Sequence, residues 1–270
     1  MKPLSIGRAW EETVAFVKRE GALLFPVALV FLALPIVLFQ QLVPADTVQG
    51  MLDAMRKAEA GGARTPVTVP TGFWLGFIVT MILSLIGALA VYALALRPGI
   101  SVGEAMKLGL KRLPVLMGAG LLVAVGTGLA FILLSVAAAV FGKVVGSAAL
   151  TTLVVVGIIC GMAFIAVRLL LLNALAIDRS VGPIDVVRQS FALTRGQFWR
   201  LFAFLAVVIM LTIIVQTAVQ SIFGVIGGLV GGADIAVLVA GLATAALSAV
   251  VQVYFMVMTA RMYRQLEAAA

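Results

Sequence analysis

ALTTLVVVGIICGMAFIAVRLL, residues 149–170, runs for 22 residues with a single charge, Arg168. A hydrocarbon core about 30 Å thick is crossed by about 20 residues of helix at 1.5 Å each. The stretch reads as a transmembrane helix. Five more of similar length stand at 22–43, 73–96, 115–140, 201–225 and 235–258, and short connections pair the six into three helical hairpins. Composition agrees: 63% of the 270 residues are hydrophobic and 11% are charged, against about 25% charged in a soluble domain. The expected fold is all-α and polytopic, a single membrane domain over 1–270.

The first apolar run begins after Lys18, Arg19 and Glu20 and lacks a small-residue cleavage site, so it reads as a retained span, not a cleavable signal. Cys160 is the only cysteine, inside an apolar run, and there is no histidine. No intrachain disulfide follows, and a zinc or haem site is not expected. No cofactor is expected either.

The net charge of +8 raises the question of nucleic acid. Its distribution decides against it: 15 of the 19 Lys and Arg fall in 1–21, 97–114, 168–200 and 259–270. The other four are Arg56, Lys57, Arg64 and Lys143, on the opposite side of a six-span topology. That asymmetry places both termini and both inter-hairpin loops in the cytoplasm. The base is then orientation and lipid-phosphate contact, with no nucleic acid.

A short pattern recurs in the polar segments: Ser5-Ile6-Gly7, Ser101-Val102-Gly103 and Ser180-Val181-Gly182. Each copy precedes an amphipathic stretch and then a hairpin, which suggests a pseudo-threefold repeat with units of about 5–96, 101–177 and 180–264. In the third copy Ile184, Val187, Phe191 and Thr194 make one face, and Asp185, Arg188, Ala192 and Arg195 another. Pro183 suits a first turn and Gly196 a C-terminal stop. In the second, Ser101 and Glu104 have capping-box spacing. Glu104, Lys107 and Lys111 form its polar face there, with Val102, Ala105, Met106 and Leu113 opposite. In the first, Ile6, Ala9, Trp10, Thr13 and Val17 oppose Arg8, Glu12, Ala15 and Arg19, with Arg8 and Glu12 one turn apart. All three read as helices lying in the cytoplasmic interface, and Phe198-Trp199-Arg200 reads as an aromatic and basic collar.

The stretch from Arg168 through Asp178-Arg179-Ser180-Val181-Gly182-Pro183 to Arg188-Gln189-Ser190-Phe191-Ala192-Leu193-Thr194-Arg195-Gly196-Gln197-Phe198-Trp199-Arg200 resembles a signature of the membrane domain associated with bacterial glycerophosphodiester phosphodiesterases and of related small inner-membrane proteins. The resemblance covers about 33 residues. It implies a bacterial inner-membrane setting and lipid, while the soluble hydrolase domain of those proteins has no counterpart in this chain.

Candidate sites follow from charge and polarity at depth. Arg168 either snorkels to phosphate or binds a lipid or substrate, with Asp178, Asp185 or Glu104 as partners. Arg188, Arg195, Arg200, Lys107 and Lys111 are candidates for lipid phosphate. Asn173, Gln216, Gln220 and Gln252 are the intramembrane amides, and Gln216 and Gln220 share a helix face. These amides either bond across helices or line a crevice. Pro26 and Pro35 either pack or hinge. Gly157 and Gly161, Gly224 and Gly228, Gly227 and Gly231, and Gly228 and Gly232 have the GxxxG spacing of close helix packing. The external loop 44–72 holds a short helix at 50–59 and a flexible link at 61–66.

No Gly-x-Ser-x-Gly, P-loop or Rossmann fingerprint is present, and no aspartate sits centrally in a span. The expected function is therefore non-catalytic: an inner-membrane protein that binds or organises lipid, or an accessory subunit of an envelope system. Its partners would be anionic lipids, with a second protein or a homo-oligomer as further options. The alternative is a small transporter or lipid-translocating permease, which needs a midplane cavity holding Gln216, Gln220 or Gln252, with Arg168 at its mouth and Pro26 or Pro35 as hinges.

Overall fold

The computed structural model describes residues 4–43, 47, 50, 52–54, 56–57, 71–145 and 148–268, and these residues form helices and no strand. The expected link at 61–66 lies outside the described residues, as do Arg64 and the side chain of Lys143, while the described residues of the expected helix at 50–59, namely 50, 52–54 and 56–57, are helical. The chain runs through α1 (Ile6–Ala28), a π-helical turn (Leu29–Ala33), α2 (Leu34–Leu42), α3 (Thr71–Leu96) and α4 (Val102–Val145). It continues through α5 (Ala148–Leu169), α6 (Leu172–Asp178), α7 (Pro183–Leu193) and α8 (Phe198–Glu267).

Among the described residues, six stretches are long and apolar enough to cross a membrane: Ile6–Gln40, Gly72–Leu96, Val102–Val136, Thr152–Asp178, Phe198–Gly232 and Ile235–Glu267. The protein is a multi-pass membrane protein by this architecture. Its surface fits that reading, since Leu133, Leu153 and Leu229 are 70%, 68% and 83% exposed. Side chains of this kind in long rows are an interaction surface in water and an ordinary outer face in lipid.

Helix α8 is two arms joined at a break. Gly231 (φ −152°, ψ 18°) and Gly232 (φ 80°, ψ −168°) leave the helical region, and the second lies in a region that only glycine enters without strain. The π-turn has a sequence cause as well. Pro35 has no N–H and its ring crowds the carbonyl four residues back. Widening the turn over Leu29–Ala33 removes that crowding, and Pro35 then sits in the first turn of α2.

Two of the three stretches expected as separate interfacial helices are instead the first turns of spans. Residues 6–17 belong to α1 and 102–112 to α4, which continues through Pro114. Only 184–195 gives a separate helix, α7, started by Gly182 and Pro183 and stopped before Gly196 (φ 83°). The capping box forms: Ser101 N–H donates to Glu104 Oε2 at 2.8 Å and Glu104 N–H to Ser101 Oγ at 3.3 Å. Arg8 and Glu12 pair at 2.8 Å.

In the first two stretches the buried residues fall on the face expected to be apolar, and only in the third is the buried face shifted, to Val186 and Ser190 with Thr194. Ser5, Ser101 and Gly182 offer their carbonyls to the N–H of Ala9, Ala105 and Val186. Those three residues are buried, as are Thr13, Gly109 and Ser190 one turn on, and Val17, Leu113 and Thr194 a further turn on. Counted from the helix starts, the three stripes coincide. Ile184 and Trp10, by contrast, are 69% and 50% exposed.

By contact density the chain divides into two compact units. The first comprises Met1–Gly21, Leu89–Leu211 and Tyr254–Ala270. Its core is the end of α3, where Leu89 to Leu96 are buried on every side, with Ala174 to Ile177 of α6 and the last turns of α8. There the Tyr92 hydroxyl meets Thr259 Oγ1 at 3.0 Å. The second comprises Ala22–Ala88 and Thr212–Val253. In it Phe39 packs on Phe73 at 5.3 Å between ring centroids, and Gly87 lies so close to Phe31 that a Cβ would collide.

Candidate functional site

Arg168 lies at the end of α5 in the first unit, and its guanidinium is spent on α7. Nη1 donates to the Phe191 carbonyl and to Thr194 Oγ1, both at 3.3 Å, and the group lies over the Phe164 ring at 5.0 Å. In return Ser190 Oγ donates to the Arg168 carbonyl at 2.6 Å. The cation thus sits at the C-terminal end of α7, where last-turn carbonyls lack helical partners. Among the described residues no carboxylate pairs with it, and its Nε is buried without an acceptor.

Of the three carboxylates expected as candidates to pair with Arg168, Glu104 closes the capping box and Asp178 is held elsewhere. Asp178 accepts from the Tyr263 hydroxyl at 2.9 Å and pairs with Arg264 at 3.4 Å. Arg179 donates to Glu267 at 3.1 Å and to Gln189 at 2.9 Å. Arg264 also donates to the Leu96 carbonyl at 3.0 Å. Two arginines and two carboxylates balance here, so the cluster fastens the end of α8 to α6, α7 and the end of α3. Hydrogen bonding to Glu267 pushes the Arg179 guanidinium further above its ordinary range, so it keeps its charge. Nothing in the sequence singled out Tyr263, Arg264 or Glu267, beyond their place at the polar end of an apolar run.

Of the remaining basic candidates, Arg200 donates to the Leu4 carbonyl at 3.0 Å. Lys107, Lys111, Arg188 and Arg195 are exposed, without an ion-pair partner among the described residues. Beside them Arg112 bonds to Ser180 Oγ. Trp199 of the collar is 77% exposed, and the Phe198 ring packs at a tilt against Phe164, 5.4 Å between centroids.

Arg188 has a particular neighbourhood. It stands on the lining of a hollow of about 680 Å³ between α4, α5 and α7, otherwise formed, apart from Thr127, by apolar groups such as Leu122, Ile165, Ile184, Val187 and Phe191. The residues expected as the apolar face of α7 line this hollow. A second hollow of about 680 Å³ shares Val123, Thr127 and Ile165 with the first and runs on between α4 and α5 to Phe131 and Leu134. Gly157 and Gly161 line it, and a Cβ at either position would meet nothing within 4 Å. That pair is not used for close packing against the described residues. Close approach occurs instead at Gly227, where an added Cβ would come within 2.7 Å of Ala236 Cα.

The intramembrane amides separate. Asn173, half-buried, belongs to the first unit beside the Tyr92 hydroxyl. Gln216, Gln220 and Gln252 come together in the second unit, around a cavity of about 360 Å³ that Gln40, Thr244 and Ser248 also line. Gln216 Nε2 donates to Ser248 Oγ at 2.8 Å, and that hydroxyl donates to the Thr244 carbonyl at 2.7 Å. Leu32 and Ala33 of the π-turn and Ile36 of α2 form another wall. Gln40 escaped the sequence reading, because it ends an apolar run where polar residues are ordinary.

Chemically, the first unit offers an apolar groove with a cation at one end, and the second offers an uncharged hydrogen-bonding cavity. Among the described residues no three His, Cys, Asp or Glu side chains converge as a metal site would require. Neither a family model, nor a curated protein, nor a solved structure matches the chain.

Proposed function

We propose that this chain is a non-catalytic integral membrane protein that binds membrane lipid, with one acyl chain in the groove of the first unit and the headgroup phosphate on Arg188. The single observation that carries the reading is a long apolar groove with an arginine at one end only. From Leu122 to Leu134 the groove follows about 18 Å of helix rise. One leaflet of a bilayer core about 30 Å thick is about 15 Å. The groove itself gives little preference over bulk lipid, because lipid tails are as apolar as its walls. Selection comes from the guanidinium, whose planar donors match a phosphate.

Lys107, Lys111 and Arg195 add attraction to anionic headgroups, about 1 kcal/mol per charge near the surface. The uneven distribution of Lys and Arg supports an inner-membrane orientation with both termini in the cytoplasm. Equal spacing of the three buried stripes supports the pseudo-threefold repeat, with α7 as its one free interfacial helix. The 168–200 segment carries the proposed kinship with the membrane domain associated with glycerophosphodiester phosphodiesterases.

Native mass spectrometry of the protein extracted gently from its membrane tests the reading, comparing wild type with Arg188→Ala and Gly161→Phe. The expected result is a retained lipid that loses its preference for anionic headgroups in the first variant and disappears in the second. Identical lipid content in all three proteins overturns it. A protein that travels with wild type and both variants, without lipid, would favour an accessory subunit instead.

A further inference from the structure

The second unit holds a site of a different chemistry, and it stands whether or not lipid occupies the groove of the first. We propose that the cavity lined by Gln40, Gln216, Gln220 and Gln252 binds a small neutral solute rich in hydroxyl or amide groups.

Each glutamine offers two donors and an acceptor. Gln216 uses one donor on Ser248, and among the described residues its carbonyl oxygen accepts no hydrogen bond. Gln40, Gln220 and Gln252 form no hydrogen bond with another described residue, and Thr244 Oγ1 is buried without a partner. Glutamines serving only as glue between spans would bond to one another or to a facing helix. Gln216 does so through Ser248, whereas Gln40, Gln220 and Gln252 border open space, Gln40 and Gln220 as exposed residues. Unmet amides are costly at membrane depth, so the space is filled by molecules that satisfy them.

Charge defines the class. No lining residue of the cavity is ionisable. An ion brought there would find neither a counter-charge nor bulk water, whereas a polyol or amide would exchange its water hydrogen bonds for those of the glutamines. The volume, about 360 Å³, lies in the range of small-molecule sites.

A route in is present. A second hollow of about 420 Å³ shares Gln40, Gln220 and Gly241 with the cavity and continues to Ala236 and Val237, close to the Gly231–Gly232 break. The far wall is the π-turn, a backbone irregularity of the kind that clusters at functional sites.

Thiol chemistry tests the assignment. Gly241→Cys and Ser248→Cys are made separately in a Cys160→Ala background. Gly241 has nothing within 4 Å of an added Cβ, so its thiol enters open space. The full-length protein in permeabilised vesicles is treated with three methanethiosulfonates: neutral hydroxyethyl, anionic sulfonatoethyl and cationic trimethylammonioethyl. Rates are divided by those of each reagent with a free thiol in water. The neutral reagent is expected to modify both positions, and the charged pair to lag about 100-fold at Ser248→Cys, as the penalty for a charge at span depth implies. If no reagent reaches either thiol until the protein is unfolded in SDS, the interior is dry and the proposal fails. Equal rates for all three reagents overturn it too, because the space is then an unselective aqueous inlet.

Discussion

Arg168 has no carboxylate partner among the described residues, and what holds it is the end of a neighbouring helix. Replacing it with alanine removes two hydrogen bonds and a ring contact and frees the last turn of α7. The expected loss is about 1–3 kcal/mol, read as a lower Tm in detergent and faster proteolysis around Gly196. Arg168→Lys should recover part of it, since an ammonium donates but lacks the planar fork. Tyr263→Phe deletes the donor to Asp178 and leaves Arg264 in place, so its expected effect is smaller, about 1 kcal/mol by chemical unfolding. None of these partnerships was legible from the sequence. Arg168 and Thr194 are 26 positions apart, and only the docking of α7 brings them together. The identity of Arg168 as unusual was legible, because a charge in an apolar run stands out against its neighbours.

At the scale of the helix, spans and small residues behave differently under sequence reading. Crossing a bilayer requires a sum over about 20 residues, so single exceptions do not disturb it. Which face of a short amphipathic stretch turns inward is a finer matter, decided by size as much as by hydrophobicity. Ser190 and Thr194 are buried because their hydroxyls bond to carbonyls of Arg168 and of Ser190, while the larger Ile184 stays out. Glycine pairs show the same limit, since GxxxG spacing does not reveal what the glycines face. Gly161→Leu should leave stability within about 0.5 kcal/mol, whereas Gly227→Ala must displace backbone and lose about 1–3 kcal/mol. Thermal melts of the two variants, taken together, check this contrast. Gly232→Ala forces a side chain into the break between the arms of α8, with an expected penalty of about 1–3 kcal/mol in the same assay.

For the whole molecule, the unequal placement of Lys and Arg leads to a prediction about sidedness. Reporters inserted in the turn at 97–100 and fused after residue 270 should face the same compartment, and one inserted in the 44–72 loop the opposite one. Protease protection in sealed vesicles reads this directly, and opposite protection of the first two would remove the basis for the proposed orientation. The polar cavity was legible only as three scattered glutamines, because its walls come from α2 and from both arms of α8, and the π-turn that shapes it follows from Pro35, whose effect on the backbone has more than one solution.

That cavity has a bearing on energy supply. Moving one elementary charge through the membrane field involves about 2.3 kcal/mol per 100 mV, and a proton gradient acts through groups that take up and release protons. The lining of the cavity contains neither a fixed charge nor a titratable side chain. A neutral solute held there would feel no pull from the membrane potential. Its occupancy would follow concentration alone, unchanged by voltage or by ambient pH.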